Sequence, residues 1–311
     1  MIKSNNTIID KQNFWLNIDK PEDYSSAKIV AIVKRLTNAK ATFRKVGHAG
    51  TLDPFATGVL PIAVGKATRT CDYLVSATKK YYFEITWGEF TDSDDRTGNV
   101  IESSDMRPTN LEIINSLPKF IGTISQVPSS FSAIKVDGQR SYELARQGIE
   151  VKLKSRQINI NKIKLIFNND QKAAFQIVCS KGTYVRSFAK DLAKELGVCG
   201  HVETLRRMQV GSFLVQDAIS LDKLKNIVKY DAQNNLFLQL RDVLNFIPEI
   251  ILNSFDASKI KNGQFVELSN LEKMIECFEN KNIQAVKVIS EGVLIGLAKI
   301  ENDLLKPFNN F

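Results

Sequence analysis

A glycine-rich stretch that begins at Lys45, KVGHAGTLDPFATGVL, has the densest set of residue types capable of chemistry. Its one carboxylate, Asp53, precedes a proline, and three glycines fall within twelve residues: Gly47, Gly50 and Gly58. Glycine permits backbone conformations closed to other residues and lets another chain approach closely, and proline restricts the residue before it. A carboxylate held on such a loop can act as a nucleophile or a base. An Asx turn is the ordinary structural explanation of the same pattern.

Two further stretches combine cations with aromatic rings. In Ser180–Arg186 (SKGTYVR), Arg186 can pair with a carboxylate and keep it ionised. Tyr184 in the same stretch can stack on a base or exchange a proton. Lys79–Tyr82 (KKYY) places aromatic rings, on which bases stack, beside lysines that contact phosphates. Taken alone, each stretch is also explained by a surface cation and a packed tyrosine.

The elements around these stretches mix helices with strands. Capping residues and apolar periodicity predict helices after Ser25 or Ser26, after Thr109 with Glu112, and from about Val185 to Leu196 before Gly197. Apolar alternation predicts strands at Phe83–Trp87, Ile163–Phe167 and Phe175–Cys179, with a hairpin turn at Asn168–Asp170. Mostly antiparallel pairing is expected. Short β-like runs from about residue 246 predict a small β-rich appendage.

The net charge of +8 over 311 residues is unevenly placed. From Phe246 onward, seven lysines face nine acidic residues, so the preceding 245 residues carry +10. Lys28–Lys45 has six basic residues and no acid, and Lys135–Lys164 has eight basic residues against three acids. Clustered positive charge attracts a polyanion with strong salt dependence. A solvated basic surface explains the charge about equally well.

Several classes of protein are disfavoured by the composition. No stretch of about 18 uncharged apolar residues exists, and the polar start from Met1 to Asn13 argues against a secretory signal. A cytosolic protein is therefore expected. The only histidines are His48 and His201, and no cysteine lies in a C-x-x-C pair, so free thiols are expected rather than a zinc cage. The cysteines are Cys71, Cys179, Cys199 and Cys277.

Taken in order from about Trp15 to Pro307, these stretches resemble the bacterial TruB family of tRNA pseudouridine synthases. The matching motifs are Trp15–Pro21 with Ser25 and Ser26, Gly47–Pro54 with Ala56, Gly58 and Leu60, Lys80–Tyr81, Gln126–Lys135, Tyr142–Glu143 with Ala145–Gly148, Gly182–Arg186, Leu205–Arg207, Leu294–Gly296 and Leu305–Pro307. So many ordered motifs carry far more weight than one. Two departures occur: Asp23 stands where the family usually has glycine, and Phe131 where it usually has tyrosine.

The resemblance implies a mixed α/β (α+β) fold. Residues 1–245 would form the pseudouridine synthase catalytic domain on a mostly antiparallel sheet, with an RNA-binding insertion at about 124–153. Residues 246–311 would form a small, β-rich, PUA-like RNA-binding domain. The implied reaction isomerises uridine 55 in the TΨC arm of tRNA to pseudouridine after base flipping, with an Asp carboxylate acting at C1′. It implies no cofactor, no metal and no obligate protein partner, and a monomer is expected.

The resemblance also assigns roles residue by residue. Asp53 would be the essential carboxylate, either attacking C1′ or assisting base departure, and Arg186 would orient it. Tyr81 would stack on the uracil, and Tyr184 would position the base or remove its C5 proton. The residues implied in substrate or RNA binding are His48, Gly50, Thr51, Leu205, Lys20, Lys80, Lys135 and Arg146.

Two other functions remain open from the sequence. The chain can be an RNA-binding or tRNA-folding module that has lost catalysis. The presence of Asp53, Tyr81, Tyr184 and Arg186 favours the enzyme. It can also be a guide-RNA-dependent synthase of the related archaeal and eukaryotic group. The insertion from Gln126 to Gly148 favours the stand-alone bacterial type.

Overall fold

The computed structural model describes residues 12–230, 236–268 and 283–311. The helices are α1 (Ser26–Leu36), α2 (Cys71–Ser76), α3 (Asn110–Ser116), α4 (Ser141–Arg146), α5 (Val185–Glu195), α6 (Leu221–Tyr230), α7 (Leu240–Val243) and α8 (Ser254–Lys261). The strands are β1 (Phe14–Lys20), β2 (Val46–His48), β3 (Thr57–Val64), β4 (Lys79–Trp87), β5 (Glu89–Thr91), β6 (Val100–Ser103), β7 (Gly122–Gln126), β8 (Lys135–Val136), β9 (Gln139–Arg140), β10 (Arg156–Asn168), β11 (Lys172–Cys179), β12 (Gly200–Val210), β13 (Phe213–Leu214), β14 (Glu249–Ile251), β15 (Val266–Glu267), β16 (Ile283–Ser290), β17 (Val293–Glu301) and β18 (Leu304–Asn310).

The main sheet follows the order β1-β3-β12-β4-β11-β10-β7, with β2 added to β3 and β13 to β12. Its pairs are antiparallel except β12 on β3, where Arg206 and Arg207 lie beside Thr57 and Gly58 in parallel. This parallel contact brings the end of the glycine-rich stretch against β12. The mixed α/β fold on a mostly antiparallel sheet is confirmed.

Strand β4 lies in the middle of this sheet, and its side chains alternate strictly. Lys79, Tyr81 and Phe83 are buried on one face, whereas Lys80 points to the opposite, half-exposed face. On the buried face the Phe83 ring stacks on Phe175 with centroids 5.3 Å apart. Helix α5 packs over this core, as its apolar face predicts. The same face therefore carries both the core and Tyr81.

The predicted helix starts and the predicted hairpin are confirmed. Ser25 Oγ accepts the amide of Lys28 at 3.1 Å and begins α1. Thr109 and Glu112 form both hydrogen bonds of a capping box at α3. Helix α5 spans Val185–Glu195, and the turn after β10 is fixed by Asn169, whose side chain accepts the amides of Gln171 and Lys172. These helix starts and this turn depend on hydrogen bonds between residues only two or three positions apart.

The predicted insertion leaves and re-enters the sheet at one point. Gln126 at the end of β7 pairs with Arg156 at the start of β10. Residues 127–155 between them hold the β8–β9 hairpin and α4. The segment is thus an excursion from one pair of neighbouring strands, and its role in RNA binding stays a prediction.

The C-terminal part contains its own five-stranded sheet, in the order β14-β16-β17-β18-β15, with a separate apolar core. The predicted small β-rich unit is confirmed, while the boundary at residue 246 stays a prediction. Glu249 links the two parts through ion pairs to Arg241 at 2.7 Å and to Lys287 at 2.9 Å. In residues 12–230, 236–268 and 283–311, no helix has the length and apolarity needed to cross a membrane. The thiols of Cys71, Cys179 and Cys199 are free, as predicted, whereas Cys277 lies outside the described residues.

Candidate active site

A cavity of about 260 Å³ opens where the glycine-rich stretch, the start of β4 and the loop before α5 meet. The structure brings seven of the predicted site residues to its wall. They are Gly50, Thr51, Asp53, Tyr81, Tyr184, Arg186 and Leu205. Four stretches far apart in sequence, including β12 with Leu205, therefore contribute to one pocket.

Arg186 is almost fully buried at 3% exposure and lies between two carboxylates. Its Nε is 2.9 Å from Oδ2 of Asp53, and its Nη1 is 3.1 Å from Oδ2 of Asp95. Nε makes no well-aligned hydrogen bond, so the contact with Asp53 is an ion pair. Burial alone lowers the pKa of Arg186, but the nearby aspartates outweigh burial and raise this pKa. The guanidinium therefore stays charged beside Asp53, whose side chain remains 29% exposed towards the pocket.

Asp95 was not identified from the sequence, yet it fixes the far side of Arg186. Its Oδ1 accepts the Ser93 hydroxyl at 2.8 Å and both the amide and the hydroxyl of Thr97, at 3.0 and 2.6 Å. The backbone oxygen of Ser93 also accepts from Nη1 of Arg186 at 2.8 Å. Asp95 is 3% exposed. These bonds hold residues 93–97 in the conformation that binds the Arg186 guanidinium.

The insertion completes the pocket from the other side. The backbone oxygen of Phe131 accepts from Nη2 of Arg186 at 2.9 Å, so the contact does not depend on the ring that replaces the family's tyrosine. The Gln126 side chain clamps the backbone of Tyr184, accepting its amide at 2.8 Å and donating to its carbonyl at 3.1 Å. The Arg156 guanidinium lies over the Tyr184 ring at 4.6 Å. Tyr184 is thereby oriented by two residues that flank the insertion.

Arg207 is a second buried cation at this site, at 1% exposure, and no individual role was predicted for it. It donates to the backbone oxygens of Val59 at 2.7 Å, Gly50 at 2.9 Å and Thr51 at 3.3 Å. The positive charge of Arg207 also acts on Tyr81, whose pKa is nevertheless raised, chiefly by burial. Arg207 thus ties the glycine-rich stretch to β12.

The backbone of Arg207 requires a glycine opposite. Gly58 has φ +99°, and a Cβ there would lie 2.3 Å from the Arg207 carbonyl oxygen. Such a contact is sterically impossible without a backbone shift. The last glycine of the stretch is therefore explained by close approach of two strands.

The position of Lys20 does not agree with its predicted role in substrate or RNA binding. It is fully buried, and its Nζ donates to the carbonyls of Pro21, Tyr24 and Pro54 at 2.9, 2.6 and 2.8 Å. Burial lowers its pKa to about 8. Its ammonium group is satisfied by backbone and does not reach solvent, so Lys20 holds the loop after Asp53 rather than an RNA phosphate.

The motif that contains Lys20 anchors the same loop a second time. The Ser26 hydroxyl is buried, donates to the carbonyl of Leu52 at 3.0 Å and accepts its amide at 2.9 Å. Asp23, which replaces the family's usual glycine, has φ +61° and so keeps a glycine-like conformation.

The other predicted RNA-binding residues lie outside the pocket. Lys80 projects from the opposite face of β4, and Lys79 lines the pocket instead. Lys135 and Arg146 are exposed on the insertion. His48 ends β2, half-buried, and its pKa is lowered, first by burial and then by Arg207. Their roles in RNA binding stay predictions.

Comparison with known protein families identifies the class of protein to which this chain belongs. The profile of the TruB family pseudouridylate synthase N-terminal domain matches residues 34–185. The profile of the tRNA pseudouridylate synthase B C-terminal domain matches residues 186–247. These matches place the chain among the pseudouridylate synthases.

Individual relatives narrow the class. The tRNA pseudouridine synthase B of Ehrlichia ruminantium is 43% identical over 301 residues, covering 96% of this chain and 98% of that protein. That of Caulobacter vibrioides is 40% identical over 307 residues, covering 97% of each chain. The chain belongs to the TruB family.

Solved structures share the fold at low sequence identity. A chain of a Cbf5-Nop10-Gar1 complex superposes with a TM-score of 0.71 at 22% identity, covering 97% of this chain and 85% of that one. A chain of the archaeal box H/ACA sRNP Nop10-Cbf5 complex gives 0.70 at 20% identity, covering 99% and 88%. These likenesses establish a common architecture.

Proposed function

We propose that this protein isomerises uridine 55 in the TΨC arm of tRNA to pseudouridine, with Asp53 as the essential carboxylate. The observation that carries the proposal is the Asp53–Arg186 ion pair at the wall of a pocket that also presents Tyr81 and Leu205. A volume of about 260 Å³ lies below the roughly 300–1,000 Å³ of pockets for drug-sized ligands. It suits a single flipped base. Relatives at about 40% identity named tRNA pseudouridine synthase B support tRNA as the substrate.

The reaction conserves atoms and needs no redox change. The N1–C1′ bond breaks, the uracil turns, C5 bonds to C1′, the C5 proton leaves and N1 gains a proton. Asp53 would either attack C1′ or stabilise the positive charge that develops there. Arg186 would orient the carboxylate by their short contact. Tyr81 and Leu205 would hold the uracil, while Tyr184 would position it or remove the C5 proton.

The uridine must first leave its stack, which costs a few kcal/mol. By analogy with the family, His48 would fill the space left in the RNA. Burial and Arg207 lower the pKa of His48, so its ring is neutral at physiological pH, as suits stacking among bases. Exposed cations would hold phosphates and set position rather than sequence.

Asp53→Asn tests the catalytic assignment. The amide keeps the shape but cannot act as a nucleophile or balance positive charge at C1′, so product should be undetectable in single-turnover conversion of a tRNA transcript. Filter binding should show nearly unchanged affinity, because phosphate contacts dominate it. Asp105→Asn, at an exposed loop position, serves as the matched loss of one carboxylate. Wild-type turnover by Asp53→Asn would remove the assignment and favour the binding-module alternative.

The same assay tests the guide-dependent alternative. The solved neighbours are chains of a Cbf5-Nop10-Gar1 complex and of an archaeal box H/ACA sRNP complex, and they share only the fold at 20–22% identity. The TruB relatives match nearly the whole chain at 40–43% identity, which favours a stand-alone enzyme. Conversion by the protein with a transcript and no other RNA is the expected result. A strict need for added guide RNA would contradict it.

A further inference from the structure

The loop between α1 and β2 displays an aromatic ring to solvent. Phe43 is 96% exposed, the highest value among the exposed large hydrophobic side chains of the described residues. Its φ of +54° lies in the left-handed region, which bulky residues rarely occupy. Both features are unfavourable in the free protein. Ligand contact would offset the first of them.

The loop that carries Phe43 is internally bonded. The Phe43 amide donates to the carbonyl of Lys40 at 3.2 Å, and the Arg44 amide to that of Ala39 at 2.8 Å. The Arg44 guanidinium also donates to the Thr37 carbonyl at 2.6 Å and to the Thr42 hydroxyl at 2.7 Å. The ring is therefore held outward by the conformation of its loop.

Phe43 lies in a segment of concentrated positive charge. The segment from Lys28 to Lys45 contains no acidic residue. Five of its cations are exposed, and none of the ion pairs found in residues 12–230, 236–268 and 283–311 includes them. They are Lys28, Lys34, Arg35, Lys40 and Lys45. A segment that combines an exposed ring with cations outside any ion pair matches the stacking and charge requirements of RNA.

The loop that carries Phe43 is also close to the pocket. β2 leads directly from this loop to His48, two residues before Gly50 in the pocket wall. Five peptide units separate Phe43 from His48, so their Cα atoms are at most about 18 Å apart. That is the length of roughly five stacked bases at about 3.4 Å each. An RNA arm seated in the pocket can therefore reach the loop.

We propose that Phe43 stacks on a nucleobase of the bound RNA, outside the target nucleotide, while exposed cations of the same segment hold its phosphates. The inference rests on the proposed function for the identity of the ligand as RNA. Stacking on a phenyl face tolerates any base, so this contact adds affinity and position rather than sequence preference. It is a second RNA contact, separate from the pocket.

Alanine and tryptophan at this position test the contact. Phe43→Ala should weaken tRNA binding by about 5- to 100-fold in a filter assay, the range for loss of one base stack. Phe43→Trp should retain the affinity. The dependence of affinity on salt should keep its slope, because no charge is removed. Leu111→Ala, which removes a 67% exposed side chain on α3, is the matched control and should bind normally.

The substitution Phe43→Gly distinguishes an effect on RNA binding from an effect on stability. Phe43→Gly relieves the left-handed φ, so its unfolding midpoint should rise while its RNA affinity falls. A purely structural residue would lose stability and affinity together. In Phe43→Trp the native Trp15 and Trp87 are 0% and 3% exposed, so acrylamide quenching reports mainly on the introduced indole. That indole should become protected when tRNA is added.

Two outcomes overturn the inference. One is wild-type tRNA affinity in Phe43→Ala. The other is an indole equally quenchable with and without RNA. Vesicles containing phosphatidylserine are tested in parallel, and loss of vesicle binding with intact RNA binding would assign the ring to a membrane surface instead. Pseudouridine formation by the wild type is measured separately, so failure of the proposed function is distinguished from failure of this contact.

Discussion

Exchange of Arg207 for lysine should disturb the pocket far more than the same exchange at its neighbour. The guanidinium bonds the carbonyls of Val59 and Gly50 at 2.7 and 2.9 Å and is 1% exposed. A lysine ammonium has three donors on a single nitrogen, whereas Nε and Nη2 of Arg207 reach the two carbonyls from separate positions. We expect the single nitrogen to keep only one of the two bonds, so the other carbonyl lacks a donor at a cost of about 1–3 kcal/mol.

Arg206→Lys is the matched control because it alters the adjacent residue of the same strand. Arg206 pairs with Asp19 at 2.8 Å, but the two side chains are 34% and 32% exposed. Exposed ion pairs contribute about 0.2–1 kcal/mol. Arg207→Lys should therefore lower the unfolding midpoint by several degrees, and Arg206→Lys by little.

The rate should separate the two variants further. Loosening of Gly50 shifts the loop that carries Asp53, and a displacement of about 1 Å can slow a reaction roughly a hundredfold. We expect at least tenfold slower single turnover in Arg207→Lys at saturating enzyme, with near-normal RNA affinity. Equal midpoints and equal rates in the two variants would refute the anchoring role of Arg207.

Three other measurements bear on the site. Asp95→Asn removes one of the two charges that flank Arg186, so single-turnover rate should fall about tenfold or more while filter binding stays unchanged. The pKa of Lys20 is lowered to about 8 from its ordinary 10.5. Between about pH 8 and 10.5, Lys20 is therefore more protonated in the unfolded chain than in the folded protein. As a result, the contribution of Lys20 to the free energy of unfolding rises with pH over this range. Lys20→Met should lack that contribution when urea titrations at pH 7.5 and 10.5 are compared with wild type. With +10 on residues 1–245, tRNA affinity should drop more than tenfold between about 50 and 200 mM salt if six or more phosphates are neutralised, and a flat response would oppose this.

Local signals in the sequence were enough to predict the helix starts and the hairpin, whereas the roles of the residues around the pocket came from the family resemblance. Capping residues such as Ser25 and Thr109 act within a few positions, so one sequence reveals them. The alternation that predicted β4 also contained the distinction between Lys79 and Lys80. Extending it back from Phe83 places Lys79 and Tyr81 on one face and Lys80 on the other.

The buried cations could not be predicted in the same way. Register shifts interrupt β12 between Val202 and Thr204 and again after Arg207, so simple alternation does not give the face of each side chain. The Lys20 ammonium group binds the nearby carbonyls of Pro21 and Tyr24 and the distant carbonyl of Pro54, and only the tertiary fold supplies the last of these. Asp95 reaches Arg186 across 91 positions of the chain. Long-range pairing of this kind leaves no periodic signature in one sequence.

The two ends of the insertion are paired in the main sheet, and this affects how the sequence of the insertion can change in evolution. Because Gln126 and Arg156 are held side by side by the sheet, the span between them is a closed loop whose ends are already fixed. Doubling the length of such a loop adds only about 0.6 kcal/mol of closure entropy. The beginning of the span is constrained, since the Phe131 carbonyl supports Arg186 and Ala133 lines the pocket. Ser141 and Tyr142 are bonded back to this beginning, through the carbonyls of Ser130, Ile134 and Ser132. Residues 143–155 can therefore lengthen, shorten or change charge at small cost to the fold, while the pocket stays constant.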